Sequence, residues 1–418
     1  MTRIAVIGAG ITGVTSAHTL SKLGYDVLVV DRLRYSASDT SYANGGQLSA
    51  SNAEVWNSVA TLGKALRWMP RRDAPLLMNP APGWHKYSWL AAFVGGIARY
   101  RANTMETVRL ALQAREHLLR TAAEEGIEFD LERRGILHIY HDRASFEAGR
   151  KANELLRAAG LERHAVTPAE IRAIEPAYTR PCHGGFFTPS DATGDIRKFT
   201  RGLAAACARR GVEFLMETEV RRVRPQERGF DLEVAVAGGD GPTRVRADAV
   251  VVCAASDSRR LARMLGDDIN VYPVKGYSIT VNLDAASERA APWVSFLDEQ
   301  AKIVTSRLGA ARFRVAGTAE INGFNRDIRH DRIQPLVRWV RDHFPEVDTS
   351  AVEPWCGLRP MMPDMMPRVR AGRLPGVFYN TGHGHLGWTL SAATAHRLGE
   401  IVARALPRGE RAAAGMPG

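Results

Sequence analysis

Residues 3–7, apolar without a break after Arg3, are of the kind that makes a strand buried on both faces. The run enters a glycine-rich stretch, Gly8, Ala9, Gly10, Ile11, Thr12 and Gly13, and then a helical pattern with Val14, Ala17 and Leu20 on one side and Gly24 as its stop. A second, β-branched run over 26–30 predicts another strand and ends at Asp31. Residues 54–125 read as mostly helical, with Trp56, Val59, Gly63 and Leu66 at helical spacing and Pro70, Pro75, Pro80 and Pro82 interrupting them. Strands are predicted over 135–140 and 185–188, with helix, turn and helix between them over 147–178. Asp195 suits the N-cap of a helix that carries Ile196, Phe199, Leu203 and Ala206 on one face and stops at Gly211. Strands follow over 212–216, 219–224 and 230–237, and, after a turn at 238–241, over 243–254. The stretch 266–351 is strand-rich (277–282, 303–306, 312–316) and closes with a helix over 333–343. A last strand over 377–380 feeds the Gly382–Gly387 turn and a helix running to Ala405, and 409–418 read as a frayed tail.

The opening pattern has chemical content. In a dinucleotide-binding βαβ unit, Gly8 allows the tight turn, Gly10 admits a pyrophosphate to the backbone, and Gly13 lets helix and strand pack closely. The helix N-terminus then faces the phosphates. Asp31, followed by Arg32, stands where a carboxylate can take ribose hydroxyls. This motif does not choose between NAD and FAD. The small polar loop over 39–47, with Ser41, Asn44, Gly45, Gly46 and Gln47, suits backbone contact with a diphosphate and a flavin ring, or equally a surface turn.

Composition narrows the classes. The chain has 418 residues, 45% hydrophobic and 24% charged, with a net charge of +11, which excludes a disordered or collagen-like chain. The basic excess is dispersed arginine with no stripe interleaved with aromatics, so no nucleic-acid partner is expected. No run of about 18 uncharged apolar residues exists, so no membrane span is expected. The start of the chain lacks a charged and then apolar leader pattern. Cys182, Cys207, Cys253 and Cys356 are far apart with no C-x-x-C, so neither a metal site nor a disulfide framework is expected, and the compartment reads as the reducing cytoplasm. One segment stands out. Residues 67–101 gather Trp68, Trp84, Tyr87, Trp89, Phe93 and Tyr100 beside Arg67, Arg71, Arg72, Lys86, Arg99 and Arg101. Such a segment suits peripheral contact with the inner face of the cell membrane, or packing on the rest of the protein as a lid.

The first sixty residues resemble the D-amino acid oxidase/glycine oxidase superfamily of FAD enzymes, and more closely the bacterial D-amino acid dehydrogenases. Further motifs agree in order: Gly194 and Asp195 with a "TGD" turn, Pro273 to Ser278 with "VKGYS", Arg314 to Glu320 with "R-V-G-G-x-x-E", Trp355 to Asp364 with "W-x-G-L-R-P-x-x-P-D-G", and Asn380 to Thr389 with "N-T-G-H-G-x-L-G-W-T". Two positions depart from the pattern: Met365 and Ala255 stand where the family has glycine.

The resemblance implies an α/β fold: a Rossmann-like FAD-binding unit of the glycine oxidase type (1–54, 191–265 and 352–418) interleaved with an α+β substrate unit containing an antiparallel sheet (55–190 and 266–351). It implies FAD held noncovalently by Gly8, Ala9, Gly10, Thr12, Gly13, Asp31, Arg32, Ser41, Asn44, Gly45, Gly46, Gln47, Val220, Gly382, Leu386, Gly387, Trp388 and Thr389. Cys356 sits beside the frame in which related oxidases attach flavin, but that frame falls on Gly357. The implied reaction is oxidative deamination of D-amino acids to 2-oxo acids and ammonia, a hydride passing from Cα to flavin N5 and the electrons on to an acceptor other than oxygen, such as a quinone. A D-hydroxyproline or imino acid dehydrogenase, an NAD(P)-linked dehydrogenase and a noncatalytic flavin subunit of a larger electron-transfer complex are the alternatives. Arg359 would bind the substrate carboxylate through a bidentate fork. Tyr277, beside Lys275, would donate to that carboxylate, roof the ring, or pack. His383 and His385 would hold a water or tune the amine, or else bond to backbone. Preferred substrate, acceptor and oligomeric state are not legible.

Overall fold

The computed structural model describes residues 1–68, 74–239 and 241–406. Pro70, Arg71, Arg72, Asp240 and the tail over 409–418 lie outside them. Among the described residues, a six-stranded sheet runs in the order Arg368–Ala371, Val377–Thr381, Ala249–Val252, Arg3–Ile7, Asp26–Val30, Glu213–Leu215. All neighbours are parallel except the first pair. Its inner strands are apolar on both faces, as a parallel sheet covered by helices requires. The helices Ile11–Lys22, Ile196–Arg209 and Gly387–Ala405 pack together on one face. A three-stranded antiparallel sheet, Thr218–Pro225, Phe230–Val236 and Pro242–Ala247, shares a core with the other.

The second large sheet runs Val352–Met361, Tyr272–Asn282, Arg312–Ile321, Ile303–Arg307, Ser295–Asp298, Ile136–Tyr140, Gly184–Thr188, His164–Val166, with Leu76–Met78 alongside Arg312–Ile321. The helix His330–His343 covers it with Ile333, Leu336, Val337 and Val340.

Four expectations change. The turn between the two helices of 147–178 carries a strand, His164–Val166, which pairs with Gly184–Thr188. The single run over 243–254 is two strands, because the chain crosses between sheets at Asp248, whose carboxylate and N–H both bond the backbone of Arg3. The pattern does shift there, from alternating Thr243 to Ala247 to continuously apolar Ala249 to Val252. The helical reading over 54–125 resolves into Val59–Trp68, Trp84–Gly95 and Tyr100–Glu125, with the strand Leu76–Met78 between prolines. Finally, Val352–Met361 is paired along its length with Tyr272–Asn282, so the second sheet continues past 351.

Candidate active site

The glycine-rich turn is closed by its neighbours. Ala9 N–H donates to Asp31 Oδ2 at 2.6 Å, Leu33 N–H to Asp31 Oδ1 at 2.8 Å, and Ile11 N–H to Ser41 Oγ at 3.1 Å. Burial pushes the Asp31 carboxyl up, and the Ala9 and Leu33 amides pull it back. Gly13 does not line the cavity; a Cβ there would lie 1.8 Å from Gly8 O, so this contact is what brings helix onto strand. The helix that follows has neither a capping side chain nor an acid in its first turn, leaving its N-terminus open to an anion. Arg32 meets Asp257 at 2.6 Å and Asp39 at 3.4 Å.

The loop over 39–47 is a seam between the sheets. Thr40 Oγ1 donates to Leu358 O, Ser278 Oγ to Ala43 O, Arg314 Nη1 to Asn44 O, Ser306 Oγ to Gly45 O, and Gln47 Nε2 to Ser295 Oγ. A second uncapped helix, Gly387–Ala405, opens on the same space, with Thr389 Oγ1 accepting from Ser49 N–H at 3.3 Å.

Arg359 closes the other end. It is half-buried, and its one hydrogen bond among the described residues is Nη1 to Thr318 O at 3.1 Å. No carboxylate pairs with it among the described residues, and burial alone pulls its guanidinium down to about 10. Thr318 sits at φ 56°, where the register between Arg312–Ile321 and Tyr272–Asn282 shifts, a bulge that turns the strand at the guanidinium. His385 Nε2–H donates to Asn52 O at 3.2 Å and its ring stacks on Trp56, leaving a buried Nδ1 lone pair without a partner among the described residues. Burial, with Arg359 adding to it, holds this imidazole neutral at about 4. His383, held by burial at about 3, bonds Thr394 Oγ1 at 2.9 Å.

These elements enclose one cavity of about 1190 Å³, above the usual range for a drug-sized ligand. Its wall includes Gly8, Ala9, Gly10, Thr12, Asp31, Arg32, Ser41, Asn44, Gly45, Gly46, Gln47, Val220, Gly382, Leu386, Gly387, Trp388 and Thr389, and also Arg359, Tyr277, His383 and His385. Lys275 is not in that wall. Its Nζ is buried on Asn325 Oδ1 at 2.6 Å and Glu320 at 3.4 Å, and the Tyr277 hydroxyl donates to Glu320 at 2.7 Å rather than into the cavity. The Cys356 thiol also faces away, donating to Arg326 O.

The sequence reading missed a polar wall. His138 Nδ1 lies 2.9 Å from Glu299 Oε1, His138 Nε2 lies 2.9 Å from Ser51 Oγ, and Ser51 lies 3.2 Å from Ser49 Oγ. Lys302, His138 and their hydrogen bonds hold the Glu299 carboxyl well below its usual range, so the chain runs Ser49, Ser51, His138, Glu299 with each donating to the next. The residues come from three distant segments with no local signal to link them.

Two uncapped helix N-termini at one cavity, a glycine turn and a carboxylate at the second strand fit an extended diphosphate cofactor. The family model for FAD-dependent oxidoreductases matches residues 3–401. D-amino acid dehydrogenase 3 of Mesorhizobium japonicum is 60% identical over 415 residues, covering 99% of this chain and 100% of that protein. D-amino acid dehydrogenase of Paramagnetospirillum magneticum is 41% identical, covering 96% and 94%. Glycine oxidase from Geobacillus kaustophilus shares the fold with a TM-score of 0.76 at 21% identity, covering 97% of this chain and 95% of its own. With the match spanning nearly the whole length, the chain belongs to the FAD-dependent oxidoreductase family.

Proposed function

We propose that the protein oxidises D-amino acids, through the imino acid, to 2-oxo acids and ammonia, using noncovalent FAD. One observation carries the substrate class: Arg359, a guanidinium facing the cavity with no carboxylate partner among the described residues. A partly buried guanidinium without a counter-ion favours an anion beside it, and the planar fork matches a carboxylate. Bound FAD supplies a two-electron acceptor. The chain supplies position: Arg359 takes the carboxylate, Thr318 O fixes one guanidinium nitrogen, and His385 Nδ1, held neutral, accepts a hydrogen bond from the substrate amine. The Ser49–Glu299 chain, closed by the Glu299–Lys302 ion pair, fixes the tautomer of His138 at the cavity wall. An ordered substrate site of this kind disfavours a noncatalytic flavin subunit.

Gly8, Ala9, Gly10, Thr12, Asp31, Arg32, Ser41, Asn44 to Gln47, Val220, Gly382 and Leu386 to Thr389 would hold FAD, with Gly13 supporting them from behind. Noncovalent attachment is supported by the cysteines. Cys356 faces away, and the Cys253 thiol, which does border the cavity, is pushed by burial up to about 12. The division into a cofactor unit (1–54, 191–265 and 352–418) and a substrate unit (55–190 and 266–351) belongs to this proposal, amended at 352–361 by the pairing of that strand.

The electron acceptor in this reading is a quinone, reached at the cytoplasmic face of a membrane. No helix of the described residues is long and apolar enough to cross one. The helix Trp84–Gly95 supports a peripheral contact: Trp84, Tyr87, Ala91 and Val94 share one exposed face, with Trp84 84% exposed. Trp89 and Phe93, on its other side, pack in the core, and the buried Lys86 ammonium bonds Asn79 O and Ala81 O instead of facing outward. Free cysteines support the reducing compartment.

Assaying D-, L- and N-substituted amino acids with a dye acceptor and with oxygen tests the reading. Dye-linked turnover of D-amino acids is expected. No turnover of any D-amino or D-imino acid overturns the function, and brisk peroxide formation overturns the acceptor.

A further inference from the structure

Three side chains that do not line the cavity converge on one point. His141 follows the strand Ile136–Tyr140, Asp298 ends its parallel neighbour Ser295–Asp298, and His343 ends the helix His330–His343. His141 Nε2 lies 3.0 Å from Asp298 Oδ2 and His343 Nε2 lies 3.8 Å from the same oxygen. All three atoms lie within 4.8 Å of one another.

The surroundings fix which atoms carry protons. His343 Nδ1 is 2.8 Å from Trp339 O, which only accepts, so Nδ1 carries the proton and Nε2 presents a lone pair in the neutral ring. That lone pair has no hydrogen-bond partner among the described residues, and the side chain is only 6% exposed. Asp298 Oδ2 takes donors from His141 and Trp339, but the His343 lone pair beside that anion has none among the described residues, which calls for a cation in the gap. A flipped ring would give up the Trp339 O bond, and in its present setting it stacks on Trp339 at 4.2 Å.

His343 is oriented as metal-ligating imidazoles usually are, its second nitrogen on a backbone carbonyl. The carboxylate is held too: Trp339 Nε1–H donates to Oδ2 at 2.9 Å, and the amides of Gln300 and Ala301 to Oδ1, each at 2.9 Å. His141, 22% exposed, opens the group to solvent.

We propose that His141, Asp298 and His343 bind one divalent transition-metal ion of the zinc class, with water as the fourth ligand. Two imidazoles and one carboxylate suit Zn²⁺, whereas Ca²⁺ and Mg²⁺ take oxygen ligands. Zinc bonds of about 2.0–2.2 Å place tetrahedral ligands roughly 3.3 Å apart, so side-chain shifts of about 1 Å close the site. Binding releases to water the proton that His141 Nε2 shares with Asp298. The ion would tie two strands of the large sheet to the helix that covers it. Cysteine spacing, on which the expectation of no metal rested, is silent on a site without cysteine.

Full-length FAD-loaded protein is stripped with a chelator and titrated with Zn²⁺ by calorimetry and with Co²⁺ by visible absorption. One ion per chain with micromolar or tighter affinity, a tetrahedral cobalt spectrum and a zinc-dependent rise in Tm are expected. His343→Gln and His141→Gln should each weaken binding at least tenfold, and His396→Gln, at an exposed position, should not. Should His343→Gln fail to fold, the partly exposed His141→Gln decides. No saturable binding by the wild type, or binding unchanged in His141→Gln, overturns the site and leaves a proton on His343 to fill the gap.

Discussion

The guanidinium of Arg359 lies over the bare Cα of Gly276 on the adjacent strand: a Cβ at Gly276 would come within 2.1 Å of Nη1. The glycine of the "VKGYS" motif is therefore the floor beneath the guanidinium, and the absent side chain is space that the arginine fills.

Gly276→Ala is expected to displace Arg359 and reduce kcat/KM while FAD content stays near one per chain. Arg359→Lys, which keeps charge but loses the fork, should lose about 2–4 kcal/mol of transition-state binding, roughly 30- to 900-fold. Steady-state kinetics with a dye acceptor checks both. Retention of most kcat/KM in Arg359→Ala removes the site assignment.

Ala255 and Met365, the two departures from the family pattern, sit at φ 47° and 63°, in the left-handed region that favours glycine. Ala255→Gly is expected to be neutral or stabilising by up to about 1 kcal/mol, as relief of strain outweighs added chain entropy. Met365→Gly relieves the same strain but deletes a buried side chain from the core cluster that holds Trp89 and Phe93, so a net loss of about 2 kcal/mol or more is expected. Thermal denaturation with FAD present distinguishes them, and equal shifts in Tm would contradict the packing account.

What the sequence made legible was local. Strand, glycine turn, helix and Asp31 lie within one short stretch, and each element boundary there follows from neighbouring residues. Arg359 became visible through its motif, but its lack of a counter-ion did not, because pairing depends on residues that chain order does not bring near. Lys275 was misplaced for a related reason: side chains two apart on a strand share a face, so Lys275 and Tyr277 go together, here onto Glu320. His138, Ser51 and Glu299 meet only through sheet pairing and a loop, and nothing within a few residues of any of them announces it.

Burial holds His138 at about 4 and His385 at about 4, against about 6.5 in the unfolded chain. Between pH 6.5 and 4 the unfolded state binds more protons at these sites, so their contribution is full at pH 7 and lost as pH falls through that window. Each can add a slope of up to about 1.4 kcal/mol per pH unit. His385→Gln is expected to show a shallower fall in urea midpoint from pH 7 to 5 than the wild type. Identical slopes would mean that His385 is charged in the folded protein.

Gly13→Val forces a side chain against Gly8 O, so colourless or unfolded protein is expected, whereas wild-type protein should release its FAD on acid precipitation. Absorbance of the supernatant checks this. Flavin that stays in the pellet would show a covalent link.

Trp84→Ser combined with Tyr87→Ser removes the exposed aromatic stripe of Trp84–Gly95. Cosedimentation with anionic vesicles at low salt should fall, while turnover with a soluble dye is unchanged. Binding should also weaken for the wild type as salt rises. Vesicle binding equal to the wild type would place the contact elsewhere.

The strand Arg3–Ile7 finds one partner at once in Asp26–Val30, but its other edge pairs with Ala249–Val252, which in turn pairs with Val377–Thr381. At a synthesis rate of about 5–20 residues per second, roughly 12–50 s separate the emergence of the first strand from that of its second partner. Throughout that interval the growing chain carries an apolar strand with an open edge, the kind of surface on which chains aggregate. Cellular yield of this protein therefore rests on how well nascent chains are shielded, and slower translation at low temperature lengthens the exposure even as it weakens the hydrophobic attraction that drives aggregation.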